Sequence, residues 1–96
     1  MKPFGNLEVE WDARKATSNL RKHGVSFEEA KSVLDDPLSQ VVPDHDHSVG
    51  ECRFCAVGRS AEGRTLVIIC AERGEKTRIL TARPATGWER KIYEQG

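Results

Sequence analysis

The 96-residue sequence lacks the long apolar runs, the charge excess and the cysteine density that mark several large classes of protein. No segment approaches the ~18 consecutive apolar residues of a membrane span. No apolar run follows the first residues, so we expect neither a membrane segment nor a signal peptide. Fifteen basic and fifteen acidic residues give a formal net charge of +0, which removes the usual electrostatic indication of nucleic-acid binding. Internal repeats and low-complexity tracts are also missing.

Cysteine is scarce as well. The odd number of cysteines, with Cys55 and Cys70 in predicted core strands, suits a reduced cytoplasmic protein rather than a disulfide scaffold, and Cys70 is expected to fill the core. Cys52 and Cys55 follow His45 and His47 with the spacing of a zinc site, but residues three apart in a strand point to opposite faces. Both thiols reach one metal only if the strand begins after Cys52. We therefore expect no metal and no cofactor. The alternative is a small metal-binding module built on His45, His47, Cys52 and Cys55.

The charges that are present are unevenly distributed along the chain. Residues 1–51 contain 6 basic and 10 acidic residues, whereas residues 52–96 contain 9 basic and 5 acidic residues. Such an asymmetry indicates either a basic functional face in the second half or the local variation of a short chain. On charge alone we favour the local variation.

The most regular part of the sequence predicts an antiparallel sheet. Three consecutive strands are predicted at residues 53–57, 65–71 and 77–83. The middle strand is apolar on both faces and should therefore form the buried centre of the sheet. We expect Gly58 and Gly63 to bracket the first turn, and Gly74 to lie in the second.

Ahead of these strands the sequence predicts a short strand and a first helix. Leu7, Val9 and Trp11 alternate with acidic residues, as in a strand with one buried face. Asp12 is a suitable N-cap for a helix that runs to about residue 22, and Gly24 should end it in the left-handed conformation. The expected apolar face of this helix is thin and consists of Ala13, Ala16 and Leu20.

A second helix follows at once, and a third helix closes the chain. Ser26 and Glu29 form a capping-box pattern at the start of the second helix, and Pro37 stops it. The apolar stripe of the second helix is formed by Phe27, Ala30, Val33 and Leu34. Thr86 and Glu89 repeat the capping-box pattern at the start of the third helix. The apolar residues of the third helix are Trp88, Ile92 and Tyr93.

A weak strand at residues 38–42, ended by Pro43, and a polar loop at residues 44–50 complete the pattern. The resulting order, β-α-α-β-β-β-β-α, is an α+β fold with a mainly antiparallel sheet, two N-terminal helices and one C-terminal helix. At this length we expect one domain over residues 1–96.

The most distinctive segment is residues 18–30, in which a Lys-His-Gly helix end leads into the capped, Phe-containing second helix. Further characteristic pieces are residues 10–12, 57–59, 78–83 and 82–86 with the Glu89-Arg90 and Tyr93 that follow. Together these segments resemble the BrnT family, which are ribonuclease toxins of bacterial type II toxin–antitoxin systems with a RelE-like fold. The resemblance covers essentially the whole chain. The chain departs from the family at Gly87-Trp88, where family members are often basic, and in the cysteines that flank Arg53-Phe54.

The resemblance implies an endoribonuclease that blocks translation by cutting RNA. It also implies a BrnA-type antitoxin, encoded beside the toxin, that covers the active surface and binds operator DNA. This chain would then meet DNA only through its antitoxin. The family further suggests a heterotetramer of two toxins bridged by an antitoxin dimer.

Cleavage of RNA without a metal needs a base for the 2′-hydroxyl proton, a cation at phosphorus and an acid for the leaving 5′-oxygen. Arg53, Arg78 and Arg83 lie on predicted strands, and the planar guanidinium suits phosphate. Strict alternation puts Arg78 and Arg83, five residues apart, on opposite faces unless twist or a bulge near Pro84 intervenes. With the resemblance added, we assign Arg83 to catalysis; Arg78 is either catalytic or a surface arginine.

The other predicted catalytic residues each have a structural alternative. Histidine changes charge near neutral pH, so His23 suits a general acid or base, but a histidine at a helix C-terminus also stabilises the helix dipole. Glu51 is either a carboxylate base or a loop charge. Tyr93 is either a hydroxyl donor at the active face or a packing residue.

We therefore predict a metal-independent ribonuclease toxin. Its predicted catalytic residues are His23, Glu51, Arg78, Arg83 and Tyr93. Its predicted RNA contacts are Lys22, Arg53, Arg73 and Arg90, although a solvated surface position is the alternative for Lys22 and Arg73. The rival function is a non-catalytic module that binds RNA or protein, retained for antitoxin binding and operon autoregulation.

Overall fold

The computed structural model describes residues 8–43 and 52–95. Within these ranges the elements are β1 (Glu8–Glu10), α1 (Ala13–His23), α2 (Phe27–Leu34), β2 (Gln40–Pro43), β3 (Arg53–Arg59), β4 (Thr65–Arg73), β5 (Lys76–Pro84) and α3 (Gly87–Gln95). The predicted α+β order is confirmed. Leu7, Glu51 and the loop of residues 44–50 lie outside the described residues. No helix in the described ranges is long and apolar enough to span a membrane.

The strands form one sheet in the order β1-β5-β4-β3-β2. β4 lies at its centre, as its two apolar faces predict. The neighbouring pairs from β2 to β5 are antiparallel, whereas β1 runs parallel to β5 at the edge. Gly63 and Gly74 lie in the two hairpin turns with positive φ, a conformation that other residues rarely adopt.

One face of the sheet is buried under α2. The predicted apolar stripe of this helix is confirmed, because Phe27, Ala30, Val33 and Leu34 are all buried. They form one cluster with the sheet residues Phe54, Ala56, Leu66, Ile68, Cys70, Ile79 and Ala82. Burying a large apolar side chain contributes ~1.5–3 kcal/mol relative to exposure, so this cluster is the main source of stability. Burial also raises the pKa of the Cys70 thiol to about 12, which keeps it protonated.

The predicted ends of α1 and the predicted start of α3 are confirmed. Asp12 accepts a hydrogen bond from the backbone N–H of Lys15 at 3.0 Å, and Gly24 ends α1 with φ 69°. At α3, Oε1 of Glu89 accepts from the backbone N–H of Thr86 at 2.8 Å. In return, Oγ1 of Thr86 accepts from the backbone N–H of Glu89 at 3.2 Å. Both partners of this capping box are therefore satisfied.

The capping box predicted at the start of α2 forms only on the side of Ser26, because the Glu29 side chain has other partners. The Ser26 hydroxyl accepts from the backbone N–H of Glu29 at 3.0 Å, as predicted. The buried carboxylate of Glu29, however, accepts from the Ser60 hydroxyl at 2.7 Å and from Nε of Arg64 at 3.0 Å. The Arg64 guanidinium lowers the pKa of Glu29 because it stabilises the ionised carboxylate. This contact joins the start of α2 to the turn between β3 and β4.

The predicted apolar residues of α1 and α3 are buried only in part. On α1, Ala16 packs against the core cluster, but Leu20 is 51% exposed and the buried residue is Asn19. On α3, Tyr93 is buried, but Trp88 is 71% and Ile92 46% exposed. Helical periodicity identifies which residues share a face, but it does not decide which face the sheet covers.

Gly58 lies inside β3 rather than at the predicted turn. It is buried, and it faces the segment that follows α2. A Cβ atom at this position would lie 2.8 Å from Cβ of Ser39, 3.0 Å from Oδ2 of Asp36 and 3.1 Å from Cγ1 of Val33. Glycine is therefore required here by close approach of the chain and not by turn geometry.

We predict that Gly58→Ala destabilises the protein by about 1–3 kcal/mol, because the added methyl group overlaps neighbouring atoms. Gly87→Ala is the matched control, since nothing lies within 4 Å of a Cβ atom there and alanine favours the helix. The control should leave the free energy of unfolding unchanged or raise it slightly. Urea denaturation of both variants provides the comparison. Equal midpoints would show that the chain opposite Gly58 can move away without cost.

Candidate active site

A β-bulge in β5 brings the predicted arginines to one face of the sheet. The register between β4 and β5 shifts between Ile69 and Cys70, which leaves Leu80 as an extra residue on β5. The extra residue reverses the alternation, so Arg78 and Arg83 point to the same face although they are five residues apart. A bulge was the stated exception to the expectation of opposite faces, but it was expected near Pro84. The observed bulge lies in the middle of the strand and not at its end.

Arg53 belongs to the same face. It pairs with Ala71 of β4, which in turn pairs with Arg78 of β5. Arg83 pairs with Val67, four residues from Ala71 and therefore about 14 Å further along the sheet at ~3.4 Å per residue. We call this side of the sheet, defined by Arg53, Arg78 and Arg83, the arginine face.

Asn19 holds α1 against the edge of β5. Its Nδ2 donates to the carbonyl oxygens of Ala82 at 2.8 Å and Val25 at 3.0 Å. Its Oδ1 accepts from the backbone N–H of Ala82 at 3.1 Å. The pairing of β1 with β5 ends at Arg78. Beyond that point, the Asn19 side chain bonds to the backbone of β5 as a neighbouring strand would. Because Asn19 is 6% exposed, water cannot easily replace these bonds.

An open cavity of about 500 Å³ lies between α1 and the sheet. Its described lining consists of Lys15, Ser18, Asn19, Lys22, His23, Arg53, Ile69, Leu80 and Thr81. Lysine, histidine and arginine are the ionisable types in this lining, and none of its described residues is acidic. The cavity therefore concentrates positive charge in a chain whose formal net charge is +0. Phosphate groups are the ligands that such a cavity attracts.

The cavity follows a polar stripe of α1 that apolar periodicity does not identify. Five lining residues occupy positions i, i+3, i+4, i+7 and i+8 of one helix face: Lys15, Ser18, Asn19, Lys22 and His23. This spacing is visible in the sequence. It could have identified Lys15 and Ser18, which the sequence analysis did not name, as residues that share a helix face with Lys22 and His23. The stripe brings the predicted residues Lys22 and His23 to the same cavity as Arg53.

Arg78 contacts an acidic residue of β1. Its Nε donates to Oε2 of Glu10 at 3.0 Å, and both side chains are half-buried. Lys76 approaches the other oxygen of Glu10 at 3.9 Å. Arg78 therefore lies on the arginine face beside a carboxylate, and it does not line the cavity.

Arg83 is paired with Glu89 of α3. Its Nη1 and Nη2 donate to Oε1 and Oε2 of Glu89 at 2.7 and 2.8 Å. The Arg83 guanidinium lowers the pKa of Glu89 to about 2, and Glu89 raises the pKa of Arg83 in return. The pair is thus fully ionised at neutral pH, and its two charges offset each other. Glu89 is a residue of this face that its capping-box pattern alone does not reveal.

Tyr93 lies apart from the cavity beside α1. Its hydroxyl donates to Oδ2 of Asp36, which also accepts from the backbone N–H of Arg59 at 2.9 Å. A second cavity of about 380 Å³ there is lined by Asp36, Leu38, Arg59, Tyr93 and Glu94. Burial, together with the bond to Asp36, raises the pKa of Tyr93. These contacts fit the packing alternative for Tyr93 better than a role as proton donor at the arginine face.

Two further predicted site residues, Arg73 and Arg90, do not line the cavity. Arg73 is exposed at the end of β4, and Arg90 is exposed on α3. Arg90 lines a surface cavity of about 620 Å³ with Gly87, Trp88, Lys91 and Glu94. Glu51 lies outside the described residues.

The alternative metal site on Cys52 and Cys55 lies partly within the described residues. β3 begins at Arg53, directly after Cys52, which is the arrangement that a shared metal would require. Within residues 8–43 and 52–95, however, no group of three or more His, Cys, Asp and Glu side chains could hold a metal ion. His45 and His47 lie outside these ranges.

The comparison with known families agrees with these observations. A family model described as the ribonuclease toxin, BrnT, of type II toxin–antitoxin systems matches residues 11–89. The chain belongs to the BrnT family. The matched segment contains every residue of the cavity beside α1, together with Arg83 and Glu89. Membership confirms the family identified from the Lys-His-Gly segment, and it makes this chain a ribonuclease toxin whose type of system implies an antitoxin partner.

The fold is similar to that of a known member of the family. The crystal structure of the Brucella abortus ribonuclease toxin BrnT matches with a TM-score of 0.65 and 21% sequence identity. The match covers 84% of this chain and 99% of that chain. No curated protein matches the sequence.

We predict that Asn19→Ala destabilises this BrnT-family protein by about 2–4 kcal/mol, because both backbone groups of Ala82 lose a buried partner. Ser18→Ala is the control, since Ser18 is the adjacent, exposed residue of the same helix. The control should change the free energy of unfolding by less than about 0.5 kcal/mol. Urea denaturation measures both variants. Similar midpoints would mean that α1 is held by other contacts.

A second prediction concerns acid stability. Because the pKa of Glu89 is lowered from 4.5 to about 2 in the folded protein, its contribution is complete above about pH 4.5 and lost as the pH falls toward 2. Glu89→Gln should therefore flatten the loss of stability over this range. Glu94→Gln, an exposed glutamate of the same helix, should leave it unchanged. Denaturation over a pH series compares them, and parallel curves for all three proteins would contradict the assigned pairing.

Proposed function

We propose that this BrnT-family protein cleaves RNA in the cavity between α1 and the arginine face, without a metal ion, and thereby inhibits translation. The observation that carries the proposal is the meeting of Lys22, His23 and Arg53 at one cavity in a chain of a ribonuclease family. Lys15 adds a further positive charge to the lining. An RNA phosphate would find several cations there and no described acidic residue to repel it.

The proposed chemistry is an in-line attack within the RNA. The 2′-oxygen bonds to phosphorus while the bond between phosphorus and the 5′-oxygen breaks. A base takes the proton of the 2′-hydroxyl and an acid gives a proton to the departing 5′-oxygen. The products are a 2′,3′-cyclic phosphate and a 5′-hydroxyl. His23 is the cavity residue suited to one of these proton transfers. Lys22 binds the phosphate, and Arg53 stabilises the charge that develops on it.

The remaining predicted site residues take secondary places in this proposal. Arg78 and Arg83 extend the basic surface, although each contacts a carboxylate. Glu51 remains our proposal for a carboxylate base, since it lies two residues before the start of the strand that carries Arg53. Tyr93 supports α3 through Asp36.

The proposed partner is a BrnA-type antitoxin that neutralises the toxin. What supports a partner is the family, since type II systems pair a toxin with an antitoxin. We further propose a heterotetramer in which an antitoxin dimer bridges two toxins and provides the only contact with operator DNA. Trp88 and Ile92, exposed at neighbouring positions of α3, are the kind of apolar surface that a protein partner covers.

A second function, binding without cleavage, is favoured by one observation. On the arginine face, Arg78 contacts the carboxylate of Glu10 and Arg83 contacts that of Glu89. Neutral pairs contribute little to the stabilisation of a charged transition state. In this alternative the protein binds RNA or its antitoxin and serves the regulation of its operon.

We predict that the purified protein cuts a long single-stranded RNA in the presence of EDTA. His23→Gln should lower the rate by about 10²–10⁴-fold, because a proton transfer loses its donor or acceptor. Lys22→Gln should raise KM more than it lowers kcat, because Lys22 binds phosphate. Arg21→Gln is the control, since Arg21 is an exposed neighbour on α1 that does not line the cavity.

The outcomes separate the two functions. Cleavage by the control and the wild type, but not by His23→Gln, supports the metal-free ribonuclease. Binding of RNA without cleavage by any of the proteins would favour the non-catalytic module. Cleavage that needs added metal would contradict the proposed chemistry.

A further inference from the structure

The guanidinium of Arg83 has little capacity left for RNA. A guanidinium carries five N–H groups. Two of those of Arg83 donate to Glu89, and Nη1 also donates to the carbonyl oxygen of Pro84 at 3.3 Å. At most two N–H groups therefore remain for a phosphate, and they belong to a cation whose charge is already offset.

Glu89 is itself held in place. Its Oε1 accepts from the backbone N–H of Thr86 at 2.8 Å, and its own backbone N–H donates to the Thr86 hydroxyl at 3.2 Å. The carboxylate cannot turn away from Arg83 without releasing the first turn of α3. A phosphate that approaches Arg83 thus meets a fixed negative charge within about 3 Å of the same guanidinium, and the two anions repel each other.

We propose that Glu89 masks Arg83 and thereby sets how strongly this part of the arginine face binds RNA. This inference rests on the proposed function, because it concerns RNA at the same face. In the resting protein the cavity beside α1 supplies the positive charge that binds RNA. Arg83 contributes only when its pair with Glu89 opens.

The packing of α3 is consistent with such an opening. Tyr93 is the buried residue of this helix, whereas Trp88 and Ile92 are largely exposed. The contact between Arg83 and Glu89, which ties the start of α3 to the arginine face, is polar. A helix that buries so little apolar surface can shift its first turn without disrupting the core.

The test measures binding of a single-stranded 2′-O-methyl RNA, which cannot be cut because its attacking hydroxyl is blocked. Glu89→Gln keeps an oxygen for the Thr86 N–H but removes the charge. We expect it to bind the probe about 3- to 10-fold more tightly. The slope of log Kd against log salt should steepen by about 0.7, which corresponds to one additional phosphate contact on a single strand. Glu94→Gln makes the same change of net charge on the same helix and should alter Kd by less than about twofold.

The double variant Arg83→Gln/Glu89→Gln has the net charge of the wild type. If Arg83 is masked, removing the neutral pair should leave Kd within about twofold of the wild-type value and abolish the gain of Glu89→Gln. Thermal unfolding of each variant checks that it is folded. In unmodified protein labelled with nitrogen-15, the Nε–H signal of Arg83 should stay in place while the probe is added, and this readout needs no variant to fold.

Three results would overturn the masking. The first is that Glu89→Gln binds the probe no more tightly than Glu94→Gln. The second is that the double variant binds about tenfold more weakly than the wild type, which would show that Arg83 contacts RNA with Glu89 in place. A probe that no variant binds would also overturn it. Because the probe cannot be cut, its Kd can be measured whether or not the protein cleaves RNA. If the Kd values of the variants follow the expected order but the wild type does not cleave RNA, the ribonuclease proposal alone is refuted.

Discussion

The cavity exists because Asn19 pairs with both backbone groups of Ala82. A sheet edge leaves N–H and C=O groups without strand partners, and their burial is costly unless something else bonds them. The amide of Asn19 offers one donor and one acceptor in the geometry of a strand, and so it allows a helix to dock where β1 ends. Docking through a polar residue turns the polar stripe of α1 toward the sheet. Lys22 and His23 consequently face Arg53.

The distribution of charge on the arginine face follows from the same arrangement. The described lining of the cavity contains cations and no carboxylate. On the same face of the sheet, Arg78 and Arg83 have Glu10 and Glu89 as partners. A chain with equal numbers of basic and acidic residues can therefore present a localised positive site, because folding separates some charges and pairs others. The total charge of the sequence does not indicate such a site.

Local features of the structure were predictable from the sequence. The central strand, the caps at Asp12 and Thr86, and the apolar stripe that begins at Phe27 depend on residues close together in the chain. The family was identifiable for the same reason, since its most specific segment is continuous. Gly58 was assigned wrongly, because the atoms that require glycine there belong to residues around Ser39, about twenty positions earlier in the sequence. Apolar periodicity likewise described the buried face of α1 only in part, because the residue that docks this helix is an asparagine.

The sequence by itself determined the elements, their order and the family, since hydrophobic pattern, capping residues and turn glycines act over a few positions. It also contained the polar stripe from Lys15 to His23, although nothing local distinguishes that stripe from a solvated surface. Only the tertiary structure decided that the stripe faces the sheet, that the bulge at Leu80 brings Arg78 and Arg83 to one side, and that Arg83 carries a carboxylate partner. Each of these depends on strand register or on a contact between different elements, which no short-range pattern specifies.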